Sequence, residues 1–255
     1  MRILVHWHIY YPEQIPYFLD KLSHIRDCSW DLYVTGVPQG REAVRAFKPD
    51  AVFLDVENQG YDIWPFISVL RTAPMEQYDY VLKLHTKNSA PKFLQLNGIV
   101  LPGYRWRNLL VSALLGTPKR FRKAWEVLEK DPCAGMVCEA LLVKKLSRTA
   151  PSDTTLLQAE ARRIGLPVKG DSFCAGTMFL ARASAFEFLR KAPLDVQDFS
   201  GVKGTHLSGS PAHVYERILS LCISASGLKI VPLVTRPLLT VWSRIIVSLT
   251  NACKR

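Results

Sequence analysis

Apolar residues along the first third of the chain fall into two alternating patterns. Residues 3–9, 31–35, 51–56 and 78–84 are short runs of branched and aromatic side chains, the composition of buried strands. Between them, apolar positions recur three and four apart, as on one face of a helix. Ile15, Phe18, Leu19 and Leu22 follow Pro12, residues 43–48 make a short second helix before Pro49, and residues 63–71 make a third. Strand, helix, strand, helix predicts a mostly parallel sheet joined by crossover helices.

Beyond residue 90 the alternation loosens. A loop with Pro91, Gly98, Pro102 and Gly103 precedes helices expected at 105–115 and 118–129, a strand at 134–137 and a helix at 153–164. The run "FCAGTMFLAR", residues 173–182, reads as one further strand in which Gly176 permits close approach of a ligand or a backbone, and 184–190 reads as helix. Residues 193–211 carry Gly201, Gly204 and Gly209 with little periodicity, too long for a quiet turn and so a candidate active-site loop. Pro211 opens a last helix bearing Ala212, Tyr215, Ile218, Leu219 and Cys222. No repeat or linker divides the chain. The expected architecture is a single α/β domain over residues 1–236, with a mostly parallel sheet flanked by helices, and a C-terminal amphipathic basic helix over 237–255.

Charge changes the picture of partners. The 33 Lys and Arg against 22 Asp and Glu leave a formal +11, which suits phosphate-bearing ligands, an anionic membrane surface or nucleic acid. Few aromatics interleave the basic stretches and no recognition motif is present, which sets nucleic acid aside. Residues 101–123 hold Arg105, Arg107, Lys119, Arg120, Arg122 and Lys123 with no acid, although solvated helix faces account for such runs equally well. Near the end, Leu238, Val241, Trp242, Ile245, Ile246 and Leu249 form an apolar stripe beside Arg236, Arg244, Lys254 and Arg255. That is the composition of an interfacial helix, and a helix docked on the domain would carry the same stripe. No window offers the ~18 uninterrupted apolar residues of a membrane span. The N-terminal apolar run contains His6 and His8, ends at Pro12 and has no cleavage signature, so it reads as a strand rather than a signal peptide. Six scattered cysteines without a Cys-x-x-Cys pair read as reduced core thiols of a cytosolic protein.

Parallel sheets bind ligands outside the carboxyl ends of their strands, so the residues after each strand are the candidates for chemistry. After the third comes "ENQGYDIWPF", where Asn58 and Gly60 suit a left-handed turn and Asp62 is placed to cap the helix starting at Ile63. The sharper reading has Asp62 accept hydrogen bonds from a ribose or sugar hydroxyl. After the fourth, "YDYVLKLHTKNS" sets Lys83, His85 and Lys87 at alternate positions, on one face if the extension continues. They are either a cationic row for a pyrophosphate or ordinary solvating residues of a strand end. In "GYRWRNLL", Arg105 and Arg107 surround Trp106 at a helix start whose amides also favour anions, unless the tryptophan packs and the arginines face water. His213 and Glu216 stand at i and i+3, where a carboxylate can orient an imidazole to act as a general base toward a hydroxyl; a plain surface pair looks the same. There is no Walker loop, no G-x-G-x-x-G after the first strand and no G-x-S-x-G elbow. Of His6 and His8, one reads as a core histidine, and neither has a metal partner at helical spacing.

The blocks "YYPEQIPYFLDKL", "ENQGYDIWPF", "YDYVLKLHTKNS", "WRNLLVSALLG", "GTMFLAR" and "AHVYER" run in order across nearly the whole chain. On these the sequence resembles the rhamnan synthesis F proteins, bacterial glycosyltransferase-like proteins of cell-surface polysaccharide assembly. The resemblance implies a GT-A-like fold and transfer of a sugar, rhamnose or another deoxyhexose, from a nucleoside-diphosphate donor. The implied acceptor is lipid-linked or a polysaccharide, at the inner face of the bacterial plasma membrane. It implies that Asn58, Gly60, Asp62, Lys83, His85, Lys87, Arg105, Arg107, Gly176 and Thr177 hold the donor, and that His213 and Glu216 deprotonate or orient the acceptor. Such enzymes commonly hold a magnesium or manganese ion on an Asp-x-Asp pair. Here the strand end reads Lys83-Leu84-His85-Thr86-Lys87, so either side-chain cations take the metal's place or a divalent ion is held without that pair, and no metal ligand is assigned. Trp64 stands where the family pattern has a small residue, and "GTHLSGSP" lacks the expected acid, leaving Glu216, His213 and His206 as candidate bases. The missing acids also motivate a second expectation, a non-catalytic binding or assembly module of a polysaccharide-synthesis complex.

Overall fold

The computed structural model describes residues 1–87, 93–96, 99–148, 151–200, 210–238 and 240–241. Strands β1 (Arg2–Ile9), β2 (Ser29–Gly36), β3 (Val52–Leu54) and β4 (Tyr80–His85) alternate with helices α1 (Ile15–Leu22), α2 (Arg41–Phe47) and α3 (Ile63–Thr72). A hairpin of β5 (Phe93–Leu96) and β6 (Ile99–Pro102) leads into α4 (Gly103–Leu115) and α5 (Pro118–Lys130). Then follow β7 (Ala134–Glu139), β8 (Val143–Lys145), α6 (Pro151–Arg163), β9 (Ser172–Cys174), β10 (Phe179–Arg182), α7 (Glu187–Lys191), α8 (Pro211–Ala225) and β11 (Lys229–Leu233).

Seven strands form one sheet in the order β11-β7-β10-β4-β1-β2-β3, and β10 alone runs antiparallel to its neighbours. Helices cover both faces, as a mostly parallel sheet requires. Strand β1 shows how the faces are divided. Ile3, Val5, Trp7 and Ile9 enter the core beneath α1, α4 and α5, while Leu4 joins the opposite core formed with α3, α6, α7 and α8. On this second face the apolar residues stop early: Leu4 is followed by His6 and His8 in β1, and Val81 by Lys83 and His85 in β4, in paired register. All four polar side chains are buried. The core therefore turns polar toward the carboxyl edge of the sheet, and that is where the candidate site lies.

Local chemistry fixes the helix starts beside this edge. Thr117 accepts from the Arg120 amide at 3.2 Å ahead of Pro118, and Ser210 accepts from the His213 amide at 3.4 Å ahead of Pro211. Asp62 occupies the same position before α3, but its carboxylate makes no capping bond and points into the site instead.

The structure corrects the sequence reading in three places. Residues 173–182 are not one strand: β9 and β10 are separated by a turn in which Gly176 has φ 85° and Thr177 φ 52°. The loop expected after residue 90 contains the β5–β6 hairpin. A 3-10 turn at Val196–Phe199, closed by a reciprocal Asp195–Asp198 capping box, begins the stretch expected to be without structure. Residues 201–209, with His206, and nearly all of the tail helix expected at 237–255 lie outside the described residues. Among those described, no helix is long and apolar enough to cross a membrane. Cys138, Cys174 and Cys222 are buried free thiols, Cys28 is half-buried and Cys133 is exposed, while Cys253 lies outside the described residues.

Candidate functional site

The Lys83 side chain is 0% exposed, and its ammonium is paired with the carboxylate of Asp62, which is 13% exposed. It also donates to the Thr177 carbonyl at 3.2 Å and to Thr177 Oγ1 at 3.1 Å. Thr177 in turn donates its hydroxyl to Asp62 Oδ2 at 2.6 Å. The left-handed backbone of Thr177 lets one residue offer both oxygens to Lys83, and such strain in a β-branched residue persists only where its surroundings enforce it. Burial alone would raise the Asp62 carboxyl, but His85, Lys83 and Lys87 hold it well below the usual carboxylate range.

His85 extends the network. Its Nε2 lies 2.8 Å from the Gly176 carbonyl and 3.7 Å from Asp62, and its Nδ1 lies 3.0 Å from the Thr86 carbonyl. Two facing carbonyls would suit an imidazolium. Burial outweighs them, and with the Lys87 and Lys83 charges it pushes the ring down to about 3 against the pull of Asp62, so His85 is neutral and can donate to one of the two carbonyls at a time. His6 and His8 share the hydroxyl of Thr35, at 2.9 and 3.0 Å. Burial lowers both; His8 falls to about 4.

Lys87 lies beyond the end of β4 and is tied down through its backbone. Its amide donates to Gln14 Oε1 at 3.3 Å, and the Gln14 amide donates back to its carbonyl. The ammonium sits over the Trp106 ring, 4.2 Å from its centroid, and among the described residues no carboxylate is within ion-pair distance of it. Burial draws its pKa down, while the charges of Asp62 and Glu216 oppose that. Glu216, from α8, accepts from the Gly176 amide at 2.6 Å through Oε1. A Cβ on Gly176 would come within 3.2 Å of Leu110 Cδ1 and 3.5 Å of Trp106, so α4 packs directly on this turn. One four-residue turn thus joins side chains from α3, β4, α4 and α8.

Other expected site residues lie apart from this network. Asn58 and Arg105 are exposed. Arg107 stacks on Tyr17, 3.7 Å from the ring centroid, and donates to Asn108 Oδ1 at 3.0 and 2.9 Å. His213 and Glu216 are held by different partners, because His213 Nδ1 lies 3.0 Å from Ser210 Oγ. Gly60, at φ 63°, is pressed against Phe199, and a Cβ there would come within 2.6 Å of Phe199 Cδ1. Gly60→Ala is therefore expected to lose more than about 1 kcal/mol of stability in a denaturant titration. Sequence reasoning missed Gln14, whose signal was a polar residue at the start of an apolar helix face, and the cradling role of Trp106.

A divalent cation does not fit the described residues. The strand end offers amines and one imidazole, Asp62 is already occupied by Lys83 and Thr177, and no group of three potential ligands is present among the described residues. The depression of about 500 Å³ lined by Arg2, Trp30, Asp31 and Lys48 lies at the opposite, amino edge of the sheet.

A mostly parallel α/β sheet with a buried polar network at its carboxyl edge, next to an ammonium with no ion-pair partner among the described residues, fits the Rossmann-like class of fold. The chain belongs to the rhamnan synthesis protein F family, whose model matches residues 1–227. It is similar to the uncharacterized protein WxcX from two strains of Xanthomonas campestris pv. campestris, ATCC 33913 and B100, at 31% identity over 173 residues. The match covers 67% of this chain and 24% of each relative, so the chain spans about a quarter of their length.

Proposed function

We propose that this domain is a GT-A-like glycosyltransferase acting on a nucleoside-diphosphate sugar, with a lipid-linked or polysaccharide acceptor. The observation that carries the reading is the placement at the sheet's carboxyl edge of Lys87, an ammonium over Trp106 with no ion-pair partner among the described residues, within electrostatic reach of Glu216, a carboxylate anchored by the Gly176 amide through one oxygen. Lys87 neutralises the diphosphate. Glu216, fixed by Gly176, takes the proton from the acceptor hydroxyl through its second oxygen, with His213 beside it on α8. The acceptor oxygen then bonds to the anomeric carbon as the bond from that carbon to the diphosphate oxygen breaks, releasing the nucleoside diphosphate. Asp62, Lys83, His85 and Thr177 hold the turn in place. Rhamnose or another deoxyhexose is the sugar suggested by the family's name.

A panel of nucleotide sugars, assayed with and without manganese, tests this. Lys87→Ala is expected to weaken donor binding about tenfold, the scale of one charge-assisted hydrogen bond. Glu216→Gln is expected to leave donor binding intact and slow transfer about a hundredfold. Absence of binding and turnover with every donor would sink the proposal. The second reading, a non-catalytic assembly module, draws on the closed nature of the Asp62–Lys83–Thr177 network, which satisfies itself without a ligand. Cells making normal polymer with a His213→Ala/Glu216→Ala chain, but not with a deletion, would favour it.

A further inference from the structure

We propose that the chain docks on anionic lipid bilayers through the corner at which it leaves β11, on the sheet edge that bears the candidate site. Strand β11 runs parallel to β7, and its last residue, Leu233, stands opposite Glu139. Thr235 then donates its hydroxyl to the Glu139 carboxylate, so residues 234–238 depart from the carboxyl edge of the sheet.

The short helical turn that follows faces the wrong way for a helix packed on its own domain. Thr240 is 5% exposed, and both its amide and its hydroxyl donate to the Arg236 carbonyl at 3.0 Å. Leu238 and Val241, three apart and so neighbours on one face, are 78% and 53% exposed, and Val234 is 50% exposed. A helix docked on the domain would bury the leucine and valine and leave the threonine outside.

Charge decides what covers this apolar corner. The exposed Arg236 and Arg120 both act on the Glu139 carboxyl, which places the start of α5 beside the tail. Lys119 and Lys123 on α5 are exposed and have no ion-pair partner among the described residues. In sequence, residues 234–255 add Arg244, Lys254 and Arg255, with no acid, and Trp242 follows the exposed valine. Two copies meeting here would bring like charges together. A sheet of lipid phosphates with an acyl boundary beneath meets both the cations and the apolar residues.

The inference is independent of sugar transfer, because its readout is vesicle binding alone. The 255-residue chain is floated with phosphatidylglycerol–phosphatidylcholine vesicles and with phosphatidylcholine vesicles, at low and high salt. Binding is expected only to the anionic vesicles and is expected to weaken with salt. Lys119→Gln/Lys123→Gln is expected to weaken it roughly 25-fold, about fivefold per cation, and Leu238→Glu/Val241→Glu to abolish it, both with unchanged thermal midpoints. The proposal is overturned by no flotation, by equal flotation on neutral vesicles, or by full binding of the Leu238→Glu/Val241→Glu chain. Lipid-free dimerisation that this variant removes would also overturn it, as an interface between two copies.

Discussion

Acidification from pH 6.5 toward pH 4 is expected to destabilise the protein steeply, through its buried histidines. His6, His8 and His85 are buried and neutral, with His8 lowered to about 4 and His85 to about 3. In the unfolded chain each takes up a proton near pH 6.5, so across this window the unfolded state binds more protons and stability falls as pH falls. Each histidine contributes about 1.4 kcal/mol per pH unit. Glu139 works against the histidines, since burial raises its carboxyl and favours the folded state in acid. The net loss is then roughly 2 to 3 kcal/mol per pH unit, against a total stability of about 5–15 kcal/mol. Asp62 adds nothing to this slope: its depressed carboxyl stabilises the fold above the unfolded value and loses that contribution only in stronger acid. Denaturant midpoints across the window check the slope, and His8→Gln should flatten it by one histidine's share. A level profile would show that these rings protonate in the folded protein.

Asp62→Ala is expected to cost about 3–5 kcal/mol, because it strands the Lys83 charge in the core. Among the described residues the lysine would keep the Thr177 carbonyl and hydroxyl, at 3.2 and 3.1 Å, and the face of the Phe66 ring, but no counter-charge. Lys83→Met should cost less, since Asp62 retains the Thr177 hydroxyl at 2.6 Å and is partly open to solvent. The double variant Asp62→Leu/Lys83→Met should recover much of the Asp62→Ala loss, because an apolar pair leaves no buried charge unpaired. Urea unfolding of all three distinguishes this order from a simple sum. Equal losses in the single and double variants would mean that the pair is not held as ions.

The sequence made the first half of the sheet plain. In β1 and β4 the period-two pattern separates the faces, and it also puts His6, His8, Lys83 and His85 on one side. What it hid was the depth of that side. A lysine inside an apolar run reads as a strand end, and nothing in the spacing reveals that its partner is Asp62, on another element 21 positions earlier. The turn at Gly176–Thr177 was concealed because both flanks are apolar and threonine favours extended backbone, so the residues read as one strand. The β5–β6 hairpin was masked by Pro91, Gly98 and Pro102, which punctuate like a loop. Glu216 and His213 were legible as residues on one helix. Their separate partners, Gly176 and Ser210, depend on tertiary packing that helical spacing does not encode.

The antiparallel strand β10 also sets the order in which this protein can be finished on the ribosome. Lys83 pairs with Phe179 across β4 and β10, and the turn just before that strand is held by Glu216 near the start of α8. A nascent chain can lay down β1 to β4 early, from contacts between neighbouring segments, yet it holds Lys83 with its threonine partner missing until residue 177 has emerged. The last helix must follow before Gly176 is fixed. Fragments ending before α8 should therefore be clients of chaperones rather than smaller working versions of the domain.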